Sequence, residues 1–487
     1  MSSSDAAKIK AGALAGAGVY TQNDIDKACE LLAEFNAQSI ETVRLVFVDQ
    51  HGILRGKTVV SSALASVFSS GIGMPSTLLL KDTAHKTVFP VWSDDVSVGE
   101  VALQGASDVL AVPDPNTATK VPWSPHSRMI LCDVLDRNKA PIIFSSRHVL
   151  KNVLSQLDAQ GYSAVMGLEA EFQVFERLDT GCNHEQATMP PAAIKTRNVT
   201  QGWQFLTETR YGEAEPLLDA LRRAAQEMEL GLRTVEIEMG PSQFEFTFDP
   251  TDPAKQADRY VMFRTMVKEV CHQRGLHASF MAKPKLPNAA SNGWHIHQSL
   301  LHNNSGKNAF MPAKEGELTK EASGWIAGLL QHAASCCLLT TPTVNGYKRY
   351  EPFQLAPNRV AWGYDNRGAM VRALLYPDDE ASRVENRVAD STVNPHFALA
   401  AQILSGLDGI KQSTVPPEAT ASPYAENAKK LPQSMIEAVD AFNNSALFRE
   451  TLGSAFVDYL TQIKRSEWER YLMTVSEWEQ NEYFNLY

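Results

Sequence analysis

Residues 291–300 read SNGWHIHQSL, and a chain of 487 residues with only 12 histidines places two of them, His295 and His297, one residue apart. Positions two apart in an extended strand face the same side, so both imidazoles would project into one space. On its own the pair fits a half-exposed strand edge as well as it fits a metal or phosphate site, since histidine serves both roles. The rest of the chain has to decide.

The same two-residue period recurs in three further segments. AVMGLEAEFQVF (164–175) is apolar except at Glu169 and Glu171, which share a face. TVEIEMGPSQFEFTF (234–248) carries Glu236 and Glu238, then Gln243, Glu245 and Thr247 on one side and Phe244, Phe246 and Phe248 on the other. ASRVENRVAD (381–390) alternates Arg383, Glu385 and Arg387. Any one polar comb is ordinarily a solvated strand face. Four together predict a common site, because clustered glutamates repel unless cations lie between them. Carboxylates with an imidazole suit Mg²⁺ or Mn²⁺, and arginines bind carboxylate and phosphate in bidentate fashion. NGYKRY (345–350) and YDNRGAMVRAL (364–374) add Arg349, Arg367 and Arg372. Metal plus arginines points to phosphoryl transfer.

Composition bounds the alternatives. Hydrophobic residues make up 44% and charged residues 21%, which describes an ordinary folded protein. A net charge of −11 argues against sequence-independent nucleic-acid binding. No stretch approaches the roughly 20 apolar residues of a membrane span. The six cysteines show no CxxC pairing, and Cys336-Cys337 lies in an apolar helical run expected in the core, so a cytoplasmic protein is expected. The first 22 residues are Gly/Ala-rich and are expected to be a flexible leader. A helix is predicted over 22–37, with Asn23 or Asp24 near its start. Two strands follow in ETVRLVFVDQHGILRGKTVV (41–60); GILRGKT has one residue too few between its glycines for a phosphate loop. A domain boundary is expected near residue 140, after the strand MILCDVLD. The tail SEWERYLMTVSEWEQNEYFNLY is expected to be one surface helix.

MGLEAEF, EMGPSQFEF, NGWHIHQSL, NGYKRYEP, NRGAMVR, SRVENRVAD-x-x-x-NP and EWERY, in this order, resemble glutamine synthetase from about residue 40 to the C-terminus. The resemblance implies an α+β chain: an N-terminal β-grasp domain (23–139) and a catalytic domain (140–487) with a curved antiparallel sheet. It implies a homo-oligomer, a dodecamer of two hexameric rings with sites completed by a neighbour. Two to three ions of Mg²⁺ or Mn²⁺ per site are implied, one held by Glu171, Glu238 and Glu245 and another by Glu169, His295 and Glu385. His297, Ser299, Arg372 and Arg383 would lie near ATP, Arg349 and Arg387 would hold glutamate, and Arg367 would lie near the transferred phosphoryl group.

Two departures bear on the amine. Ammonia-using members carry an Asp in a DGSS stretch, where this chain has GIGMPSTLLL (71–80) and Met74; a flap Glu, in GYEAP, becomes Leu355. Trp294 precedes the metal histidine. Met74, Trp294 and Leu355 are therefore expected to line an apolar amine pocket, suited to an aniline-like amine that is neutral at pH 7. A polyamine, a small alkylamine or ammonia remain alternatives, as does a catalytically silent scaffold.

Overall fold

The computed structural model describes residues 3–93, 97–179, 183–351, 355–425 and 428–487. Helices α1 (Ser3–Lys10), α2 (Ala13–Gly16) and α3 (Gln22–Ala37) open the chain, followed by β1 (Thr42–Val48), β2 (Leu54–Val60), α4 (Leu64–Ser70) and β3 (Ile72–Pro75). A small pair, β4 (Ser97–Val98) and β5 (Val101–Ala102), precedes β6 (Asp108–Pro113), β7 (Thr119–Lys120) and β8 (Ser127–Leu135). The first sheet runs β2-β1-β8-β6-β3, with β7 on β8. Its central pair, β1 and β8, is parallel and its other pairs are antiparallel.

The sequence after Val48 forms a hairpin turn, as expected. The Asp49 carboxylate accepts the N–H groups of His51 and Ile53, and Gly52 takes a φ of 72°. Helix α3 is capped one turn-edge earlier than expected. Thr21 is its cap, and Asp24 completes a reciprocal capping box.

The first 22 residues are not a free leader. α1 and α2 pack on α4, and Ile9 and Leu14 are fully buried. Gly12 sits so close to Ser69 that a Cβ there would stand 2.6 Å from its carbonyl oxygen. Two apolar side chains spaced along a short helical stretch suffice to cover the open side of α4, a signal that small-residue composition hides.

The second sheet is built from β9 (Tyr162–Arg177), β10 (Thr196–Asn198), β11 (Leu232–Ile237), β12 (Gln243–Thr251), β13 (Leu276–Ser279), β14 (Trp294–His302), β15 (Trp362–Tyr364), β16 (Val371–Leu374) and β17 (Arg383–Asn386). Its order is β11-β12-β9-β14-β17-β16-β15, with β10 and β13 also on β9. All pairs are antiparallel except β15 and β16. Between and after these strands come α5 (Ser146–Asp158), α6 (Glu208–Glu227), α7 (Pro253–Gln273), α8 (Lys320–Gln331), α9 (Ala333–Thr340) and α10 (Pro395–Lys411).

The back of this sheet is the core. Phe172, Phe244 and Phe246 are fully buried, and Phe263 of α7 packs edge-on or tilted against Phe172, Phe246 and Phe248. Each such ring contributes roughly 1.5–3 kcal/mol through burial. Cys336 and Cys337 are buried in α9, as expected, and the five described cysteines are unpaired. Among the described residues no single helix is long and apolar enough to cross a membrane; α8 and α9 are apolar but meet at 76°.

The chain closes with α11 (Met435–Asn443), α12 (Ala446–Thr451), α13 (Ser454–Leu472) and α14 (Glu477–Tyr483). The expected single tail helix is two, because Ser476 forms a capping box with Glu479 and starts a new helix.

The two sheets are tied by buried charge. Arg147 of α5, 6% exposed, donates to Asp133 of β8 at 2.7 Å, to Asp114 at 2.9 Å and to Asp258 of α7 at 2.9 Å. His396 of α10 lies 2.9 Å from the same Asp258. Ser146 and Asn394 both donate to the Asp49 carbonyl, which anchors the β1–β2 turn against the second sheet.

Candidate active site

Strand register brings the four polar combs onto one face. Glu236, Glu245 and Glu171 form one row across β11, β12 and β9. Thr247, Glu169 and His295 form the next, across β12, β9 and β14. Gly167, His297, Glu385 and Arg372 form the third, across β9, β14, β17 and β16. The opening histidines therefore stand in adjacent rows with carboxylates on both sides.

Glu169 bridges them. Its Oε2 is 2.9 Å from His295 Nδ1 and its Oε1 is 2.9 Å from His297 Nε2. It lies directly opposite His295 and one diagonal from His297, so each oxygen reaches one ring. His295 Nδ1 is also 3.6 Å from Glu385, and its Nε2 is 3.9 Å from Glu171. Burial and the Arg387 charge push the His295 pKa down, which keeps the ring neutral and fit to coordinate.

The carboxylates divide into two groups. Burial alone would raise Glu169 and Glu385, but the two imidazoles hold Glu169 low, and Arg387 with the same imidazoles holds Glu385 low. Glu171 is pushed up to about 7 by burial and by Glu238. Burial also raises Glu238, and burial together with Glu171 and Glu169 raises Glu245 well above its usual range. Glu245 Oε1 is buried with no hydrogen-bond partner. A deprotonated cluster of this kind needs positive charge beyond what these side chains supply, so the donor set fits a hard divalent ion.

The donor atoms that come within 4.8 Å of one another form two groups, Glu169–Glu245–His295 and Glu169–His297–Glu385. This differs from the expected partition. Glu169 belongs to both groups, and His297 stands among the carboxylates while also lining the cleft that holds Ser299 and Arg383. Glu238 lies just past the end of β11, where its carboxylate accepts the Met239 N–H at 2.7 Å.

The arginines gather around this cluster. Arg387 bonds Glu385 and the Arg367 carbonyl, and Arg372 bonds Glu385 at 3.1 Å and Asp365. Arg349, 2% exposed, donates to the Val388 carbonyl at 2.9 Å, and its buried Nε has no partner. Arg383 donates to His297 Nδ1 at 3.1 Å. Arg367 is exposed on the turn before β16. His297, Ser299 and Arg383 line a cleft of about 400 Å³ together with Arg233, Glu236 and Thr247. Arg233 went unremarked in the sequence because it stands outside the alternation of β11.

Two of the three residues expected in the amine pocket are elsewhere. Trp294 is fully buried on the back of β14, 5.0 Å from the Tyr260 ring centroid. A residue adjacent to His295 in a strand must face the opposite side. Met74 is 1% exposed in the core of the first sheet, opposite Val109. Leu355 is exposed, in a left-handed conformation with φ 55°.

Gly293 is a site element that sequence reasoning passed over. Its N–H donates to Glu171 Oε2 at 2.7 Å, and its carbonyl accepts from the Glu171 N–H and from Ser391 Oγ. A Cβ at this position would lie 3.0 Å from His295 Nε2 and 3.1 Å from Glu171 Oε1.

A sheet face carrying ion-ready carboxylates, two histidines and converging arginines defines a site for metal-assisted chemistry on anionic substrates. Comparison with known proteins narrows that class. Residues 144–483 match the glutamine synthetase catalytic domain. The chain is 34% identical to gamma-glutamylanilide synthase of an Acinetobacter species, over 96% of this chain and 97% of that one. It is 31% identical to glutamine synthetase of Pyrococcus furiosus (92% of this chain, 97% of that one) and 30% identical to gamma-glutamylethanolamide synthetase of Streptomyces coelicolor (92% and 94%). Among solved structures, a GmaS/ADP complex superposes with a TM-score of 0.78 at 26% identity, covering 93% of this chain and 99% of that one. The chain belongs to the glutamine synthetase family and is a ligase.

Proposed function

We propose that the chain joins the γ-carboxylate of glutamate to an organic amine, aromatic or apolar and aniline-like, at the expense of ATP. In the first step a γ-carboxylate oxygen attacks the terminal phosphorus of ATP and ADP leaves, giving γ-glutamyl phosphate. In the second the amine nitrogen attacks the acyl carbon, phosphate leaves and the nitrogen loses one proton.

Mg²⁺ or Mn²⁺ bound among Glu169, Glu171, Glu238, Glu245, His295 and Glu385 would neutralise charge building on the phosphoryl oxygens. Arg349 and Arg387 hold the glutamate carboxylates, and the unpartnered Nε of Arg349 supports that role. Ser299, Arg372, Arg383 and His297 orient the nucleotide, and Arg367 meets the transferred group. A dodecamer of two hexameric rings fits the apolar tail, where Met473, Val475, Trp478 and Phe484 are exposed and would find cover against another copy. Unpaired cysteines fit work in the cytoplasm.

The observation that carries the choice of amine is Leu355, an exposed apolar side chain where the family flap has a proton-accepting carboxylate. The nearby Glu351 is engaged by Lys283 at 3.4 Å. The likeness to gamma-glutamylanilide synthase supports the same reading. The test is mass spectrometry of the product formed from glutamate, ATP, Mg²⁺ and aniline with ammonium present in equal amount. γ-Glutamylanilide with matching ADP and phosphate is expected; glutamine alone would overturn the reading.

A further inference from the structure

Trp294 and Met74, two of the three residues expected to form an apolar amine pocket, are withdrawn into cores, yet another apolar surface borders the carboxylate cluster. Segment 199–206, VTQGWQFL, runs beside the β11–β12 turn. The Val199 N–H donates to Ser242 Oγ, and the Ser242 N–H to Thr200 Oγ1. The Trp203 N–H donates to the Met239 carbonyl and the Leu206 N–H to the Ile237 carbonyl. Gly202, at φ 71°, lies so close that a Cβ would stand 2.2 Å from the Pro241 nitrogen. The segment is thus locked to the backbone on either side of Glu238, whose carboxylate caps the Met239 N–H.

The side chains of this locked segment are left in solvent. Trp203, Phe205 and Leu206 are each about half exposed and Met239 is 39% exposed. Trp203 and Leu206 also hold φ values of 59° and 53°, an unfavourable conformation for bulky residues. Exposed aromatic surface combined with backbone strain, held rigid beside a reactive cluster, is the signature of a surface kept for a ligand. Arg210, nearby, is already tied to Glu213 and Gln201, so the rim offers an anion little. The anionic substrates have their own guanidinium groups along the other rows.

We infer that Trp203, Phe205 and Met239 form the docking face for the ring of the acceptor amine, delivering its nitrogen past Glu238 to the acyl carbon. The inference rests on the proposed amide-forming reaction and names its specificity-determining residues. An aniline ring stacks on an indole face while its nitrogen, neutral at pH 7, points toward the site. Trp203 acts on the amine alone, leaving the glutamate and nucleotide groups untouched.

The experiment compares wild type with Trp203→Ala and Trp203→Phe, measuring kcat and KM for aniline, ammonium and glutamate, with a thermal melt of each variant. Losing the indole face is expected to lower kcat/KM for aniline by about tenfold to a hundredfold relative to ammonium. The change is expected mainly in the KM for aniline, with the KM for glutamate held and Trp203→Phe recovering most of the loss. If aniline and ammonium fall together, or glutamate KM rises with them, Trp203 is structural and the inference fails. An unchanged aniline-to-ammonium ratio likewise overturns it while the reaction proposal stands. If wild type does not use aniline at all, the reaction proposal itself fails and the docking face goes with it.

Discussion

Gly293→Ala separates catalytic geometry from stability. The Gly293 backbone is pinned by the Glu171 main chain, the Glu171 carboxylate and Ser391, so it cannot retreat from an added methyl group. That methyl would stand 3.0 Å from His295 Nε2, 3.1 Å from Glu171 Oε1 and 3.5 Å from a terminal nitrogen of Arg349. Ordinary contact begins near 3.4 Å, so His295 and Glu171 must each give by a few tenths of an ångström. Shifts of that size use up most of the roughly 0.5 Å within which site groups must be held, so kcat should fall by about threefold to tenfold, about 0.7–1.4 kcal/mol in the barrier. Gly293 does not have a positive φ, so no backbone strain is added, and the alanine restricts the unfolded chain by roughly 0.4–1 kcal/mol. The assay pairs glutamate-dependent ADP release with Mn²⁺ titration and a thermal melt. The expected result is weakened metal binding and slow turnover in a protein that melts near wild type. Wild-type turnover and Mn²⁺ affinity would refute the reasoning.

Three further outcomes follow from the same geometry. Glu171 titrates near 7 rather than at its usual 4.5, and Glu238 and Glu245 are raised with it. The Glu171 contribution to metal-free stability is fully present below about 4.5 and is lost as pH rises through about 7, with the raised Glu238 and Glu245 acting in the same direction. Mg²⁺ should therefore raise the melting temperature more at pH 8 than at pH 5.5, and an equal shift at both would contradict the site. Arg147→Met should destabilise the chain by about 3–5 kcal/mol in urea unfolding, because the buried Asp258 would lose its guanidinium counter-charge, whereas Asp133 keeps Lys151; an unchanged midpoint would show that the seam does not depend on it. Leu355→Glu, which restores a carboxylate to the flap, should raise kcat/KM for ammonium relative to aniline, and a fixed ratio would remove Leu355 from amine selection.

Much of the catalytic sheet was legible because its strands obey a strict two-residue period. Glu169, Glu171, Glu245, His295, His297 and Glu385 fall on one face by alternation alone, and register then lines them into rows. The same period sends Trp294, the neighbour of His295, to the buried back of the sheet, away from the expected pocket. Met74 departs from the expectation for a different reason. Sequence position near an implied subsite does not reveal whether a side chain points into its own sheet, and Met74 does. At the start of the chain two buried residues, Ile9 and Leu14, order a Gly/Ala-rich segment whose composition suggests no order. The grouping of Glu169 with Glu245 and His295, and with His297 and Glu385, and the aromatic rim at Trp203 depend on cross-strand diagonals and loop packing, which no local pattern encodes.

The central claim is tested most directly by the rate of Mg²⁺- and glutamate-dependent ADP release with ammonium, an alkylamine, putrescine and aniline at equal concentration. Fastest release with aniline, and little with ammonium, is the predicted result. Fastest release with ammonium would contradict it and make the chain a glutamine synthetase with an altered flap.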